Sequence, residues 1–256
     1  MRAGYQLLLR TMACCLAAAA GCTAAPIEVA TLPTVSLTNG LVAHWRLDEN
    51  IGYVANDSSG NGRTGFASGP GWSWVPGQFG GAMHFSGIDY VSVGGMPRPT
   101  PSYSVSAWVL IQPGELGAPI ANILSTETLG GGWALFSTFG MGPPSYVFRY
   151  AINPNQNFVT VSCPCVVPGV WTHLTAVLDA DAATLTLYVG NDVAMTVPTG
   201  GATILPGSTV LDIGRSADLS PPFPVTGTLD DVAIYARPLV VEEVAELSIE
   251  PAPDPQ

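Results

Sequence analysis

Short stretches of alternating apolar and polar residues, separated by turn-forming clusters, run along most of this chain. In residues 41–47, LVAHWRL, every second residue is apolar and falls on one face: Leu41, Ala43, Trp45 and Leu47. This period of two predicts a half-buried β-strand. The clearest helical pattern is a short one at residues 240–247, after Pro238. The chain is therefore predicted to be all-β, a sandwich of two antiparallel sheets with a short C-terminal helical turn.

Composition supports the same fold class. Glycine (29) and proline (23) supply many turn formers among the 256 residues. The segments between them are rich in Val, Thr, Tyr, Trp and Leu, and strands favour β-branched and aromatic residues. The length suits one large β domain.

An acidic, glycine-rich loop, DENIGYVANDSSGNGRTG, follows the first predicted strand at residues 48–65. Its glycines permit positive φ angles, so several side-chain oxygens can converge on one point. Three of these oxygen donors are the carboxylates of Asp48, Glu49 and Asp57. Hard cations prefer oxygen ligands, so the loop is a candidate cation site.

Three separated parts of the chain carry a resemblance to a known family. They are residues 45–49, 57–65 and 74–87; then 103–112, 171–179 and 184–190; and finally GTLDDVAIYARPL at 227–239. In order and content they resemble the laminin G-like domains of concanavalin A-like jelly-roll fold, which are common in bacterial surface and secreted proteins. The resemblance spans residues 40–247 and implies a jelly-roll domain at 40–248, followed by a disordered tail at 249–256.

The resemblance also implies a structural Ca²⁺ where the first loop meets the last strand. Asp57 and Asp230 are the best candidate ligands, followed by Glu49 and Asp48, with backbone carbonyls completing the shell. Alternation along a strand places Asp230 on the face of Val232 and Ile234 and turns Asp231 away. The alternative is that these acids make turns and loop hydrogen bonds without a metal.

The N-terminus, MRAGYQLLLRTMACCLAAAAGC, places Arg2 and Arg10 before a short apolar run. A membrane-spanning helix needs about 20 apolar residues, so the run predicts an export signal instead. The ending Ala-Ala-Gly-Cys resembles a bacterial lipobox, which implies a lipoprotein signal peptide at 1–21, lipidation of Cys22 and a flexible tether at 22–39. We expect an outer-membrane or cell-surface lipoprotein that meets the membrane only through this anchor. Cleavage by an ordinary signal peptidase, which would give a secreted protein, stays open.

Two cysteines remain beyond Cys22, and only Pro164 separates Cys163 from Cys165. A disulfide across one residue is strained, although an oxidising exterior favours it. Two free thiols and a redox pair are the alternatives. The sequence shows no activating environment for redox chemistry.

The charge balance limits the partners. The chain has no lysine, and without residues 1–21 it has six arginines against 19 acids, a formal charge of −13. Nucleic acids and acidic glycans need the opposite balance, so neither is an expected partner. Neutral glycans, envelope or extracellular proteins, and cations remain.

The sequence carries no familiar catalytic pattern. Glycoside hydrolases of this fold place paired carboxylates on one strand, as in E-x-D-x-x-E, and no such strand occurs. An acidic cluster in the helical turn is expected to be a solvated face: Glu242, Glu243 and Glu246. Three histidines within strand patterns are expected to pack: His44, His84 and His173. We therefore expect no enzymatic activity, with a divergent glycoside hydrolase as an alternative.

A binding module is the predicted function. Carbohydrate modules present aromatic faces to sugar rings and amides to hydroxyls. Trp72 is the first candidate, because the family pattern accounts for Trp74 but not for Trp72, and Tyr146 and Asn155 are further candidates. Trp133 is expected in the core. The expected ligand is a neutral glycan, and a surface scaffold that binds proteins is the alternative.

Overall fold

Two antiparallel sheets are built from the segments that the alternating pattern marks. The computed structural model describes residues 36–115, 120–139, 146–152, 158–165, 167–216, 219–220 and 222–252. The predicted signal peptide, Cys22 and most of the predicted tether lie outside these residues. Within the described part of the chain, no helix is long and apolar enough to cross a membrane.

The described residues contain sixteen strands and one α-helix. Their bounds are β1 Leu41–Trp45, β2 Val54–Ala55, β3 Gly65–Ser68, β4 Ser73–Pro76, β5 Gly81–Ser86, β6 Tyr90–Val93, β7 Tyr103–Leu110, β8 Ile120–Ser125, β9 Trp133–Phe139, β10 Tyr146–Ile152, β11 Val159–Cys163, β12 Thr172–Asp179, β13 Thr184–Val189, β14 Asp192–Pro198, β15 Leu211–Ile213, β16 Thr226–Tyr235 and α1 Val241–Leu247.

Each sheet has eight strands. The first sheet has the order β14-β13-β12-β7-β16-β5-β4, with β1 also paired to β16, and the second has the order β11-β10-β9-β8-β15-β6-β3-β2. The first and last strands of the described residues are therefore neighbours, with Trp45 opposite Val232. The predicted fold class, a jelly-roll-like sandwich of two antiparallel sheets with one short helix, is confirmed.

The main core lies between the inner faces of the two sheets. Trp45 and Phe85 from the first sheet and Trp133 and Leu135 from the second are fully buried there. Full burial of such a side chain contributes about 1.5–3 kcal/mol to folding. The prediction that Trp133 belongs to the core is confirmed.

A β-bulge interrupts β16 at the two aspartates. Asp231 has a φ of 46°, and the register of β16 against β7 shifts between Asp230 and Ala233. Leu229 and Val232 consequently both reach the core, although they are three positions apart along the strand. The prediction that Asp230 shares the face of Val232 is therefore wrong, since strict alternation does not hold across a bulge.

Helix α1 and the chain after it cover the outer face of the first sheet. Val244 and Leu247 are buried with Tyr235 in a second apolar cluster, and Ala252 is 1% exposed. The Ala252 N–H donates to the Asp231 carboxylate at 3.2 Å. The disordered tail predicted from residue 249 is thus corrected for residues 249–252, and residues 253–256 lie outside the described part.

The acidic face predicted for α1 is also only partly solvated. Glu243 is buried and forms a bidentate pair with Arg237, with N···O distances of 2.6 and 2.7 Å. Burial alone would raise the pKa of Glu243, but the hydrogen bonds from Arg237 and the Val240 N–H outweigh it and lower the pKa. Glu243 therefore fastens the helix to the end of β16 and does not face solvent as predicted.

The second sheet ends at β11, where Cys163 is joined to Cys165 by a disulfide. The link closes a turn around Pro164 at the sheet edge. Of the three states left open by the sequence, the structure has the bridged one.

Candidate functional site

Asp57 organises the acidic loop. Its carboxylate accepts backbone N–H groups from His44, Ser59 and Arg63 at 3.1, 2.9 and 2.8 Å. Burial alone would raise the pKa of Asp57, but the hydrogen bonds from Ser59, Arg63 and His44 outweigh it and lower the pKa. Both carboxylate oxygens are engaged by the protein itself. Asp57 therefore shapes the loop through its hydrogen bonds, and its role as a cation ligand stays a prediction.

The loop after Asp57 also closes the free side of β1. Asn61 donates to the carbonyls of Leu41 and Val42, both at 3.0 Å, and the Arg63 guanidinium donates to Val42 O at 2.6 Å. An exposed strand edge presents unpaired backbone groups that invite pairing with other chains. Side chains of the loop satisfy these groups, so the D-S-S-G-N-G-R segment has a structural role.

Asp48 and Asp230 converge on the turn between β4 and β5. The Asp48 carboxylate accepts the Gly81 N–H, and Asp230 Oδ2 accepts the Phe79 N–H at 2.9 Å. A Cβ at Gly77 would lie 2.6 Å from Asp230 Oδ2, so this close approach requires a glycine. The turn thus brings together two of the four acids predicted to bind a cation.

Asp230 lies in an electrostatically unfavourable environment. It is fully buried, and its Oδ1 has no hydrogen-bond partner among the described residues. Burial raises the pKa of Asp230 to about 7; the Phe79 N–H opposes this shift, and the carboxylates of Asp231 and Asp48 add to it. A cation beside Oδ1 would relieve both the repulsion and the missing contact.

Glu49 makes its hydrogen bonds within the acidic loop and not at the β4–β5 turn. Its Oε1 accepts the Asn56 N–H at 2.7 Å, and its Oε2 is buried without a partner among the described atoms. The part of the chain that the structure describes holds no cluster of three or more His, Cys, Asp or Glu side chains suited to a metal. Asp48 and Asp230 would therefore supply two carboxylates to a hard cation. Backbone oxygens would complete its coordination shell.

A groove of about 420 Å³ lies on the outer face of the second sheet. Its floor comes from β8, β9 and β11, and loop residues form its walls. Six of the lining residues determine its chemistry: Asn122, Glu127, Phe136, Thr138, Phe158 and Phe223. Alternation places Phe136 and Thr138 outside because Trp133 and Leu135 point into the core. The groove is mainly apolar, with polar groups at intervals.

The groove spans the second sheet between β8 and β11. One end lies where Ile120 pairs with Thr138, and the other lies near Phe158, which precedes β11 and is 55% exposed. Asn122 fixes one wall, because it donates its side chain to Ser216 Oγ at 2.6 Å and its backbone N–H to Phe223 O at 2.8 Å. The wall is therefore held by a buried amide.

Two polar groups in the groove have unused hydrogen-bonding capacity. Thr138 Oγ1 is buried and has no partner among the described residues. Burial raises the pKa of the Glu127 carboxyl, which lines the same groove. A ligand with hydroxyl groups could satisfy both.

Trp72, the first residue predicted to contact a ligand, is not among the described residues that line this groove. Trp72 is half-buried, packs against the core and meets Trp74 edge-on at a centroid distance of 6.0 Å. Tyr146 begins β10, with its backbone opposite Phe139. Asn155 lies outside the described residues. Sequence reasoning missed Phe136 and Phe158, although the alternation in WALFSTF marks Phe136 as outward once Trp133 is assigned to the core.

Two histidines form buried polar pairs on the outer face of the first sheet. His44 Nε2 lies 2.5 Å from Asp231 Oδ1, and His173 Nε2 lies 2.8 Å from Ser106 Oγ. Burial lowers the pKa of His173 to about 4. Both rings are almost inaccessible to solvent, which agrees with the packing role predicted for them. His84 is more open and contacts Thr228 Oγ1 at 3.2 Å.

The described residues thus form a jelly-roll-like sandwich of two antiparallel sheets, with an aromatic-lined groove on one outer face. The family model described as the concanavalin A-like lectin/glucanases superfamily matches residues 85–245. The chain belongs to this superfamily. No curated protein matches it in sequence.

Several solved structures are similar to this chain. Domain 4 of AbnA, a GH43 extracellular arabinanase from Geobacillus stearothermophilus, solved in complex with arabinotriose, has a TM-score of 0.64 at 20% identity, and the match covers 81% of this chain and 98% of that domain. The ligand binding domain of botulinum neurotoxin serotype D, in complex with N-acetylneuraminic acid, has a TM-score of 0.64 at 12% identity and coverages of 83% and 51%. The binding domain of Paraclostridial Mosquitocidal Protein 1 has a TM-score of 0.65 at 14% identity and coverages of 83% and 52%. The chain thus spans about half of the toxin domains, and these likenesses concern the fold.

Proposed function

We propose that this domain is a non-catalytic binding module that holds a neutral glycan in the groove of the second sheet. The observation that carries the proposal is the combination of Phe136, Phe158 and Phe223 with hydrogen-bonding groups in one groove. Aromatic faces stack on the apolar faces of sugar rings, and a few polar groups fix the hydroxyls. Phe158 is half open to solvent, so a ligand can reach its ring.

Charge favours a neutral glycan over an acidic one. The chain has a net charge of −11, and Glu127 lines the groove. An acidic sugar would meet repulsion from the domain and from that carboxyl. The complex of the similar arabinanase domain with arabinotriose supports a neutral sugar as the first compound to test.

Isothermal titration with ladders of arabino-, xylo-, gluco- and manno-oligosaccharides tests the proposal. We expect at least one ladder to bind and Phe158→Ala to weaken its affinity about tenfold, because a stacking face is worth roughly 1 kcal/mol or more. Val193→Ala is the matched control, since Val193 is 56% exposed on β14 of the other sheet. Absence of binding to all four ladders, or equal affinity of Phe158→Ala and wild type, contradicts the proposal.

The non-catalytic part of the proposal needs its own assay. Purified protein is incubated with the polymers of the four ladders, and reducing ends are measured over time. We expect no release above that of a heat-inactivated sample. Release that scales with protein concentration would favour the divergent glycoside hydrolase.

We also propose a structural Ca²⁺ held by Asp48 and Asp230 beside the β4–β5 turn. The support is the buried Asp230 Oδ1, which has no hydrogen-bond partner in the part of the chain that the structure describes, and the second carboxylate on the same turn. Such an ion would connect the first loop with the last strand and stabilise the folded state. We expect Ca²⁺ to raise the melting temperature relative to EDTA and Asp230→Asn to abolish this response. Equal melting temperatures for wild type with and without Ca²⁺ would overturn the proposal.

Export with a lipid anchor at Cys22 is the remaining proposal. It is supported by the sequence of residues 1–22 alone. We expect the protein expressed in a bacterial host to partition into detergent, and Cys22→Ser to move it into the aqueous phase. If both forms remain aqueous, ordinary signal-peptidase cleavage is the better explanation.

A further inference from the structure

A row of paired residues crosses the second sheet from the groove to the opposite side. From β3 to β11, strand register gives the row Phe66, Ser92, Asp212, Ser125, Ala134, Ala151 and Thr160. Directly paired residues share a face of a sheet, and Val91 and Leu211 beside the row point into the core. The row therefore follows the outer face. It makes six inter-strand steps of about 4.8 Å, roughly 29 Å in all.

The far end of this row carries exposed aromatic side chains. Phe66 on β3 is 51% exposed, and Tyr53, just before β2, is 59% exposed. Their ring centroids are 6.3 Å apart. The Trp74 indole N–H donates to Gly52 O at 2.9 Å, which fixes the backbone beside Tyr53. Nothing in the groove or in the proposed cation site accounts for two neighbouring aromatic rings facing solvent here.

The guanidinium of Arg215 covers the middle of the row. Arg215 pairs with the buried Asp212 at 2.7 Å, and its guanidinium carbon lies 3.2 Å from the centroid of the Tyr90 ring. The Arg215 side chain is 28% exposed. A stacked guanidinium keeps its N–H donors in its own plane, and those not bonded to Asp212 can bind hydroxyl groups. The outer face therefore presents Phe158, Arg215 and Phe66 in succession.

We propose that Tyr53 and Phe66 form a second glycan subsite, so that the ligand is an extended, linear neutral polysaccharide lying across the strands. This inference rests on the proposed glycan-binding function and extends it. A short oligosaccharide fills only the groove, whereas a longer chain passes over Arg215 and stacks on the aromatic pair. The domain therefore recognises the interior of a polymer and not a terminal sugar.

Affinity as a function of chain length tests the second subsite. Isothermal titration uses whichever neutral ladder binds the wild type, from the trisaccharide to the octasaccharide. We expect the wild-type affinity to rise about tenfold along the ladder. Phe66→Leu, which keeps an apolar side chain without a ring, should lose that rise and leave the trisaccharide affinity unchanged. Phe66→Tyr should retain it, and Val193→Ala should behave as wild type.

The two proposals fail in different ways. If Phe66→Leu and Tyr53→Leu bind the octasaccharide as tightly as wild type while Phe158→Ala weakens all lengths, the second subsite is overturned and the groove stands. If wild-type affinity does not change with length, the second subsite is likewise overturned. If no ladder binds, the proposed function fails and the subsite with it. Melting temperatures of all variants confirm that each one is folded.

Discussion

Replacement of Asp57 by alanine gives the sharpest test of the acidic loop. The Asp57 carboxylate accepts three backbone N–H groups, and Asp57→Ala leaves all three without their acceptor. A hydrogen bond to a charged group contributes about 1.5–3 kcal/mol, but water replaces part of it in a loop that is partly exposed. We therefore expect the free energy of unfolding to fall by about 3 kcal/mol in total.

Urea unfolding followed by tryptophan fluorescence measures this loss. For a domain of about 200 residues, 1 kcal/mol corresponds to roughly 2–4 °C, so the melting temperature should fall by about 6–12 °C. Asp181→Ala is the matched control, because it removes the same charge from an exposed turn. The control should change the free energy of unfolding by less than about 0.5 kcal/mol.

The loss should also depend on pH. Because the pKa of Asp57 is lowered in the folded protein, its contribution is fully present above the unfolded value and disappears as pH falls through the folded value. The difference between wild type and Asp57→Ala should therefore be constant at neutral pH and shrink below pH 3.8, the ordinary pKa of the group.

Two results would refute the loop-forming role. One is a loss in unfolding free energy no larger than that of Asp181→Ala. The other is a loss that appears in Ca²⁺ and vanishes in EDTA, since Asp57 would then stabilise the fold through a bound ion. A loss of equal size in both buffers supports the backbone hydrogen bonds.

Three further substitutions test packing and the site. A Cβ at Gly132 would overlap neighbouring backbone at a φ of 91°, whereas one at Gly52 meets open space at a φ of 74°; Gly132→Ala should therefore cost at least about 2 kcal/mol more than Gly52→Ala in urea unfolding, and equal losses would contradict this. Trp72→Ala should lose about 1–2 kcal/mol of stability and keep its glycan affinity; an affinity loss as large as that of Phe158→Ala would restore Trp72 as a ligand contact. Arg237→Lys keeps the charge but loses the bidentate pair with Glu243, so it should cost about 2 kcal/mol in thermal unfolding, and a wild-type melting temperature would show that charge alone suffices.

Local alternation was sufficient to predict the sandwich, because inner and outer positions of a strand differ in polarity. Leu41–Trp45, within the predicted segment 41–47, form β1, and Trp133 lies in the core. The bulge at Asp231 was not predictable in this way, since its only local sign is an acidic pair that also occurs in regular strands. Because of the bulge, Asp230 lies opposite Trp108 and not on the face of Val232, so counting along β16 failed for Asp230.

The candidate site was harder to predict because it assembles from distant segments. Two of the acids predicted to bind a cation, Asp48 and Asp230, meet at the β4–β5 turn, which the sequence did not single out. The hydrogen bonds of Asp57 depend on the backbone path of residues 57–63. Phe136 is readable from its strand, whereas Phe158 and Phe223 join it only through tertiary packing. The position of Trp72 in a glycine-rich loop suggested that its ring is exposed to solvent. The ring instead packs edge-on against Trp74, two residues away.

The two ends of the domain, near residues 36 and 252, are both hydrogen-bonded to β16 or to the residues just after it. This arrangement determines how the chain could be circularly permuted. The Arg237 guanidinium donates a hydrogen bond to Ser36 O at 3.0 Å, and the Asp231 carboxylate accepts one from the Ala252 N–H. Asp231 and Arg237 are six positions apart, roughly 20 Å of extended chain. A short peptide could therefore join residue 252 to residue 36, with new termini opened at the exposed Gly200–Gly201 turn, to give a circular permutant. The same proximity makes the domain a candidate insert for a surface loop of another protein, with the outer face of the second sheet left accessible.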